Sequence, residues 1–118
     1  MLTPDNISEL AVKALEDKKA VDITVLRTTK VTVLADYFVI CTANSTTHMK
    51  TLSDEVEKVL KESGEAPLHR EGRRVGGWLL VDFGCVVVHI FLKETREFYT
   101  LERLWADAEK IMGGEDEQ

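Results

Sequence analysis

Two apolar runs, separated by Asp82-Phe83-Gly84, make up the most regular stretch of the chain, between Trp78 and Leu92. Gly84 tolerates a positive φ at little cost, so this pattern predicts a hairpin with a tight turn centred on Phe83-Gly84. The register would then pair Asp82 with Cys85, Leu80 with Val87 and Trp78 with His89. Because side chains alternate between the faces of a strand, one side of the hairpin is wholly apolar and predicted to be core: Leu79, Val81, Val86, Val88, Ile90 and Leu92.

The opposite side of the predicted hairpin mixes large apolar groups with groups that form hydrogen bonds. Its members are Trp78, Leu80, Asp82, Cys85, Val87, His89 and Phe91. His89 is a polar side chain within an apolar strand, and burial requires that its ring nitrogens be satisfied. What covers this side of the hairpin therefore bears directly on function.

The remaining apolar positions follow either the strand period of two residues or the helical period of 3.6 residues. Thr3-Pro4-Asp5 predicts a helix start, with a hydroxyl cap, a proline in the first turn and an acid near the positive end of the helix dipole. The predicted elements are a helix from 4 to about 17, a strand at 21–26, a central strand at 36–43, a helix over 49–60 closed by Ser63-Gly64, an edge strand at 68–71, the hairpin, and a helix over 98–111.

These elements predict a single α/β domain over residues 1–112, built on a mixed β-sheet of about five strands flanked by helices. Gly113-Gly114 is expected to stop the last helix, and residues 113–118 are predicted to be a disordered acidic tail. No internal repeat or low-complexity segment indicates a second domain.

Composition narrows the classes of function. The chain has 118 residues, 44% hydrophobic and 31% charged, with a net charge of −6. No apolar run approaches the roughly 20 residues of a membrane span, and no export signal is visible, so we expect a cytoplasmic protein. The negative charge argues against direct binding of nucleic acid but suits a basic protein partner. Cys41 and Cys85 lie in strand-like runs and are interpreted as reduced core residues.

Catalytic and metal-binding patterns are sparse in the sequence. His48, His69 and His89 have no zinc-site spacing with each other or with a cysteine, so no metal is expected. No glycine pattern of a dinucleotide or phosphate loop is present, and no cofactor is expected. The alternative kept open is a Mg²⁺-dependent nucleotidyltransferase-like enzyme that uses Asp36 and Asp82 on neighbouring strands, although Asp82 in a turn and Asp36 at a strand start also have ordinary structural roles.

Several motifs together resemble the ribosomal silencing factor (Iojap-like) family, over nearly the whole chain from the first helix to Trp105. In order they are Asp36-Tyr37-Phe38-Val39-Ile40-Cys41-Thr42 followed by a Ser/Thr run and His48, Glu71-Gly72, Trp78-Leu79-Leu80-Val81-Asp82-Phe83-Gly84, Val86-Val87-Val88-His89-Ile90-Phe91, Arg96, Phe98-Tyr99 and Leu101-Glu102-Arg103-Leu104-Trp105. Ala43-Asn44 and Phe83 depart from the residues common in the family.

The resemblance implies a nucleotidyltransferase-like topology without the catalytic motif and a role that is not enzymatic. It implies binding to the large ribosomal subunit through its protein numbered fourteen, which blocks joining of the small subunit and represses translation when nutrients are limiting. It also implies a homodimer when the protein is free.

The mixed side of the hairpin supplies candidate partner-binding residues. Trp78 and Phe91 are aromatic anchors of the kind enriched at interface hot spots, and His89 between them is placed to donate to a partner carbonyl. Phe83 is expected to be exposed at the turn beside these anchors. The alternative is that the C-terminal helix covers this side and makes Trp78 a core residue.

Overall fold

The computed structural model describes residues 3–27, 35–73, 77–95 and 109–113. Eight elements have both ends within these ranges, and residues 93–95 are also helical. The eight elements are α1 (Pro4–Asp17), β1 (Val21–Arg27), β2 (Tyr37–Ala43), α2 (Thr46–Glu62), β3 (His69–Arg73), β4 (Trp78–Asp82), β5 (Val86–Leu92) and β6 (Glu109–Gly113).

Both helices begin where side-chain caps satisfy backbone N–H groups that the first turn leaves unpaired. The Thr3 hydroxyl accepts a hydrogen bond from the Asn6 N–H at 3.1 Å, and the Asn6 side chain accepts from the Thr3 N–H at 3.4 Å. This reciprocal pair is a capping box, and Pro4 in the first turn has no N–H to leave unpaired. At α2 the Ser45 hydroxyl accepts from the His48 N–H at 3.0 Å. The helix starts therefore follow from local sequence.

The strands form one mixed sheet in the order β3-β4-β5-β2-β1-β6. β2 and β5 are parallel and all the other neighbouring pairs are antiparallel. The chain passes from β2 through α2 and the β3–β4 pair before it returns as β5, because parallel neighbours need a crossover. This arrangement confirms the predicted α/β class and the edge position of β3, and β6 adds a sixth strand.

The predictions of a helix up to residue 111 and of a disordered tail from residue 113 are wrong over residues 109–113. Ile111 and Gly113 lie in β6, which pairs with β1, so the predicted helix does not reach Ile111 and the predicted tail does not begin at Gly113. The edge of β1 that faces away from β2 presents backbone N–H and C=O groups, and β6 pairs with them. A pattern of apolar residues with a helical period gives no information about such a distant partner strand. Positions 98–108 of that helix and 114–118 of the tail lie outside the described residues.

The β4–β5 hairpin exists, but its register differs from the predicted one by two residues. Asp82 pairs with Val87, Leu80 with His89 and Trp78 with Phe91. The Phe83 N–H donates to the Val86 carbonyl at 2.9 Å, so the turn is centred on Gly84-Cys85. Gly84 has φ +90° and occupies the first central position, where type II′ turns favour glycine. A shift of two residues preserves the faces, so the predicted division into two sides still applies to the residues of β4 and β5.

The two faces of the sheet carry separate clusters of buried side chains. The helix face, against which α1 and α2 pack, holds the main core, including Val39, Val81, Val88 and Ile90. The opposite face, here called the far face, holds a smaller cluster of Leu26, Ile40 and Phe91, with Phe38 and Trp78 packed against it. No residue of α1 or α2 belongs to this second cluster.

Gly72 in β3 is a position where only glycine fits. Its φ is +102°, and a Cβ there would collide with the Trp78 carbonyl oxygen. We expect Gly72→Ala to lower the free energy of unfolding by about 2 kcal/mol, since a left-handed non-glycine residue and a backbone collision add their strain. Urea unfolding measures the loss.

Gly64→Ala is the matched control for this substitution. Gly64 has a similar φ of +97°, but nothing lies within 4 Å of the added Cβ. Gly64→Ala should lower the free energy of unfolding by about 1 kcal/mol, from backbone strain alone. Equal losses for the two variants would contradict the collision at Gly72.

Candidate functional site

Trp78 and His89 meet on the far face of the β4–β5 hairpin. His89 pairs with Leu80 across the strands, so Trp78 is its diagonal neighbour on the same face. The Trp78 indole Nε1 lies 3.5 Å from His89 Nδ1. An indole N–H only donates, so Nδ1 must accept, and the imidazole proton of neutral His89 is on Nε2. Trp78 is half-buried and packs against the far-face cluster.

His89 is neutral and incompletely hydrogen-bonded. The residue is 7% exposed, and burial lowers its pKa from 6.5 to about 4. Its Nε2 is buried without a hydrogen-bond partner in the described part of the chain. Leaving such a donor unsatisfied destabilises a fold by about 1–3 kcal/mol. The fold therefore keeps an imidazole here at a cost that an aliphatic side chain would avoid.

Aromatic rings hold the imidazole in place. The ring centroids of Phe38 and His89 are 4.9 Å apart and tilted by 59°, and those of His89 and Phe91 are 6.1 Å apart and nearly parallel. Ile40, which pairs with His89 in the parallel ladder, is fully buried. The imidazole thus lies in an apolar setting, which explains the direction of its pKa shift.

The structure does not expose two of the predicted partner-binding rings. Phe91 is 2% exposed and is buried within the far-face cluster. Phe83 is 6% exposed and packs in the main core on the helix face, so the prediction of an exposed ring at the turn beside Trp78 is wrong. The turn centre at Gly84-Cys85 accounts for this, because it places Phe83 at the first turn position, whose N–H bonds back to Val86.

The far face presents two partly exposed apolar side chains that were not predicted as site residues. Leu80 and Phe38 are half-buried, and they lie on the same face as Trp78. Leu80 was assigned correctly to the mixed side of the hairpin, and Phe38 lies on the β2 alternation that places Ile40 on this face. With Trp78 they form what we call the far-face patch, which consists of Phe38, Trp78 and Leu80.

Asp36 and Asp82, the two acids of the alternative enzymatic hypothesis, both form hydrogen bonds at the β4–β5 turn. The Asp82 carboxylate accepts a hydrogen bond from the Gly84 N–H at 2.7 Å and so stabilises the turn. The Asp36 N–H donates to the Cys85 carbonyl at 2.7 Å, which ties the start of β2 to the turn. Within the described residues, no three His, Cys, Asp or Glu side chains are grouped to hold a metal ion.

The other two histidines lie apart from His89. His48 Nδ1 accepts from the Asn44 N–H at 2.9 Å, and its Nε2 lies 2.7 Å from the Lys18 carbonyl oxygen. These contacts connect the start of α2 to the end of α1. His69, on β3, is 3.6 Å from Glu71 at the surface. Each has a structural interpretation.

The cysteines lie where core residues were predicted. Cys41 is fully buried in the main core. Cys85 is half-buried and packs against the same core, although the sequence placed it on the mixed side of the hairpin. Burial, and next the Asp36 carboxylate, raise the pKa of the Cys85 thiol. A raised pKa reduces the thiolate fraction and disfavours a nucleophilic role.

An open groove of about 1300 Å³ lies between α2 and the β3–β4 strands. Its lining includes four cationic residues (Lys50, Lys58, Lys61, Arg70) and four anionic ones (Asp54, Glu57, Glu62, Glu71). Lys50 pairs with Asp54 at 2.7 Å and Arg70 with Glu57 at 3.0 Å. The positive charges of this lining are therefore offset by neighbouring acids, and the groove has no excess of either charge.

No helix in the described ranges has both the length and the apolar character of a membrane span.

Comparison with known proteins identifies clear relatives. A family described as "Ribosomal silencing factor during starvation" matches residues 2–118. The ribosomal silencing factor of Halalkalibacterium halodurans is 37% identical over 110 residues, which covers 93% of this chain and 94% of that protein. A mouse protein, "Mitochondrial assembly of ribosomal large subunit protein 1", is 37% identical over 82% of this chain and 44% of its own length. A crystal structure from Chromobacterium violaceum has a TM-score of 0.87 at 38% identity, covering 98% of this chain and 92% of that one.

Proposed function

Because the chain belongs to the ribosomal silencing factor family, with its ribosome-associated silencing role, we propose that it binds the large ribosomal subunit through that subunit's protein numbered fourteen. Occupying this position blocks joining of the small subunit and represses translation, for example when nutrients are limiting. The protein acts by steric competition in the cytoplasm and makes no covalent change. The name of the mouse relative, which refers to the large subunit, supports the choice of subunit.

The observation that carries the proposal is the far-face patch. Trp78 is half-buried on a sheet face against which neither α1 nor α2 packs, with Phe38 and Leu80 also half-buried on the same face. A tryptophan surrounded by apolar side chains is typical of an interface hot spot. The proposed contact therefore centres on Trp78, with His89 and Phe91 behind it.

Charge supports a basic protein partner. The chain carries a net charge of −6, and ribosomal proteins are typically basic. Opposite potentials accelerate the encounter of two proteins and disfavour wrong partners. We expect association with the large subunit to slow as salt concentration rises, because screening weakens this attraction.

Sedimentation of purified ribosomal subunits tests the proposed mechanism. When the protein is added before the two subunits are mixed, we expect the joined ribosome peak to decrease and the separate subunit peaks to increase, with the protein cosedimenting with the large subunit. Cosedimentation with the small subunit, or an unchanged joined peak at saturating protein, would contradict the proposal.

The free protein is proposed to form a homodimer. Sizing chromatography coupled to light scattering measures its mass, and the single chain is 13.3 kDa. A mass of one chain at all accessible concentrations would contradict the homodimer without affecting the ribosome proposal.

A further inference from the structure

His89 lies directly behind the side chain on which the proposed ribosome contact centres. Its Nδ1 is 3.5 Å from the Trp78 indole nitrogen, and the residue itself is only 7% exposed. A group so buried offers a partner almost no surface. The imidazole therefore contacts the indole rather than the outside of the molecule.

The surroundings of His89 leave the ring little freedom to turn. Phe38 and Phe91 lie against it, and Ile40 beside it is fully buried. A fixed ring directs Nδ1 towards the indole N–H and holds Nε2 in an apolar environment without a partner in the described residues. An aliphatic residue would fill this position without leaving a donor unpaired, so what distinguishes histidine here is the acceptor that it offers to Trp78.

We propose that His89 is a positioning residue, whose Nδ1 fixes the orientation of the Trp78 indole on the far face. This inference rests on the proposed function, because it assigns the indole to the contact with the large subunit. It differs from the sequence-based expectation that His89 itself donates to a partner carbonyl. A held indole binds with less loss of rotamer freedom than a free one, so positioning strengthens binding.

Two conservative substitutions distinguish positioning from direct contact. His89→Asn places a carbonyl oxygen near the Nδ1 position and keeps an acceptor for the indole. His89→Gln places its amide near the Nε2 position and keeps a donor there, and His89→Leu keeps neither. We expect His89→Asn to bind the large subunit as wild type does, and His89→Gln and His89→Leu to bind about tenfold more weakly, the fold-change expected from one lost hydrogen bond.

Nuclear magnetic resonance of the free protein tests the contact between His89 Nδ1 and the Trp78 indole N–H without the ribosome. In a Trp105→Phe background Trp78 is the only indole. Its N–H should exchange with solvent about tenfold faster in His89→Leu than with His89 present, as loss of one hydrogen bond predicts. The ¹⁵N shifts of wild-type His89 should report the Nε2–H tautomer, a measurement that does not depend on any variant folding.

The outcomes separate the two proposals. An Nδ1–H tautomer, equal indole exchange with and without His89, or binding retained by His89→Gln and lost by His89→Asn would overturn the positioning role. If wild-type protein fails to bind large subunits, the proposed function fails, and the tautomer and exchange measurements still decide whether His89 holds Trp78.

Discussion

Trp78→Ala is expected to weaken binding to the purified large ribosomal subunit by about 30- to 1000-fold. Truncating a tryptophan at the centre of an interface typically removes about 2–4 kcal/mol, and each 1.4 kcal/mol is about tenfold in affinity. Trp78 is half-buried on the far face and packs against the cluster of Leu26, Ile40 and Phe91. Quantitative cosedimentation over a range of subunit concentrations measures the change.

Leu68→Ala is the matched control for that experiment. Leu68 is a large apolar side chain that is 74% exposed, and it lines the groove beside α2 rather than the far face. Its truncation should leave binding unchanged. Because Trp78 also packs against buried side chains, urea unfolding must establish that Trp78→Ala is folded. A folded Trp78→Ala variant that binds as tightly as Leu68→Ala would remove Trp78 from the contact.

Acidification is expected to destabilise the protein through His89 by about 3 kcal/mol between pH 6.5 and pH 4. Burial lowers the pKa of His89 from 6.5 to about 4 in the folded state. As the pH falls through this window the unfolded chain takes up a proton that the folded chain does not, so the unfolded state is favoured. The magnitude follows from about 1.4 kcal/mol per pKa unit, and above pH 6.5 the contribution is constant.

Urea unfolding at pH 7, 5.5 and 4 measures this effect by difference. In His89→Leu the free energy of unfolding should fall about 3 kcal/mol less over this range than in the wild type. His69→Gln is the matched histidine substitution, because the His69 side chain is 57% exposed at the surface. If the free energy of unfolding depended on pH equally in the wild type and in His89→Leu, His89 would be protonated in the folded state as readily as in the unfolded one.

In the β4–β5 hairpin, the alternation of apolar and polar residues predicted the face of each side chain but not the register of the two strands. The two sides of β4 and β5 were assigned correctly, because a strand has a period of two residues whatever the turn. The register was wrong by two residues, because Gly84 takes the first central position of the turn rather than the second. An error of two residues keeps every side chain of the strands on its face, whereas an error of one would have exchanged the faces.

Burial at the candidate site was harder to predict than the faces. Phe91 was correctly placed on the far face with Trp78, yet it is 2% exposed while Trp78 is only half-buried. Both are aromatic residues that pair directly across the hairpin. Local pattern cannot separate them, because the difference lies in the positions of their strands: β5 lies inside the sheet between β4 and β2, whereas β4 is only one strand from the edge, beside the edge strand β3.

The amino-acid sequence by itself determined the start of α1, the two faces of β4 and β5 and the family motifs, since caps, alternation and motif order are local properties of the chain. Only the tertiary structure decided that Phe83 packs into the main core and that residues 109–113 extend the sheet rather than a helix. It also decided that His89 Nδ1 meets the Trp78 indole. Each of these depends on contacts between residues distant in the sequence, whose partners a local pattern does not specify.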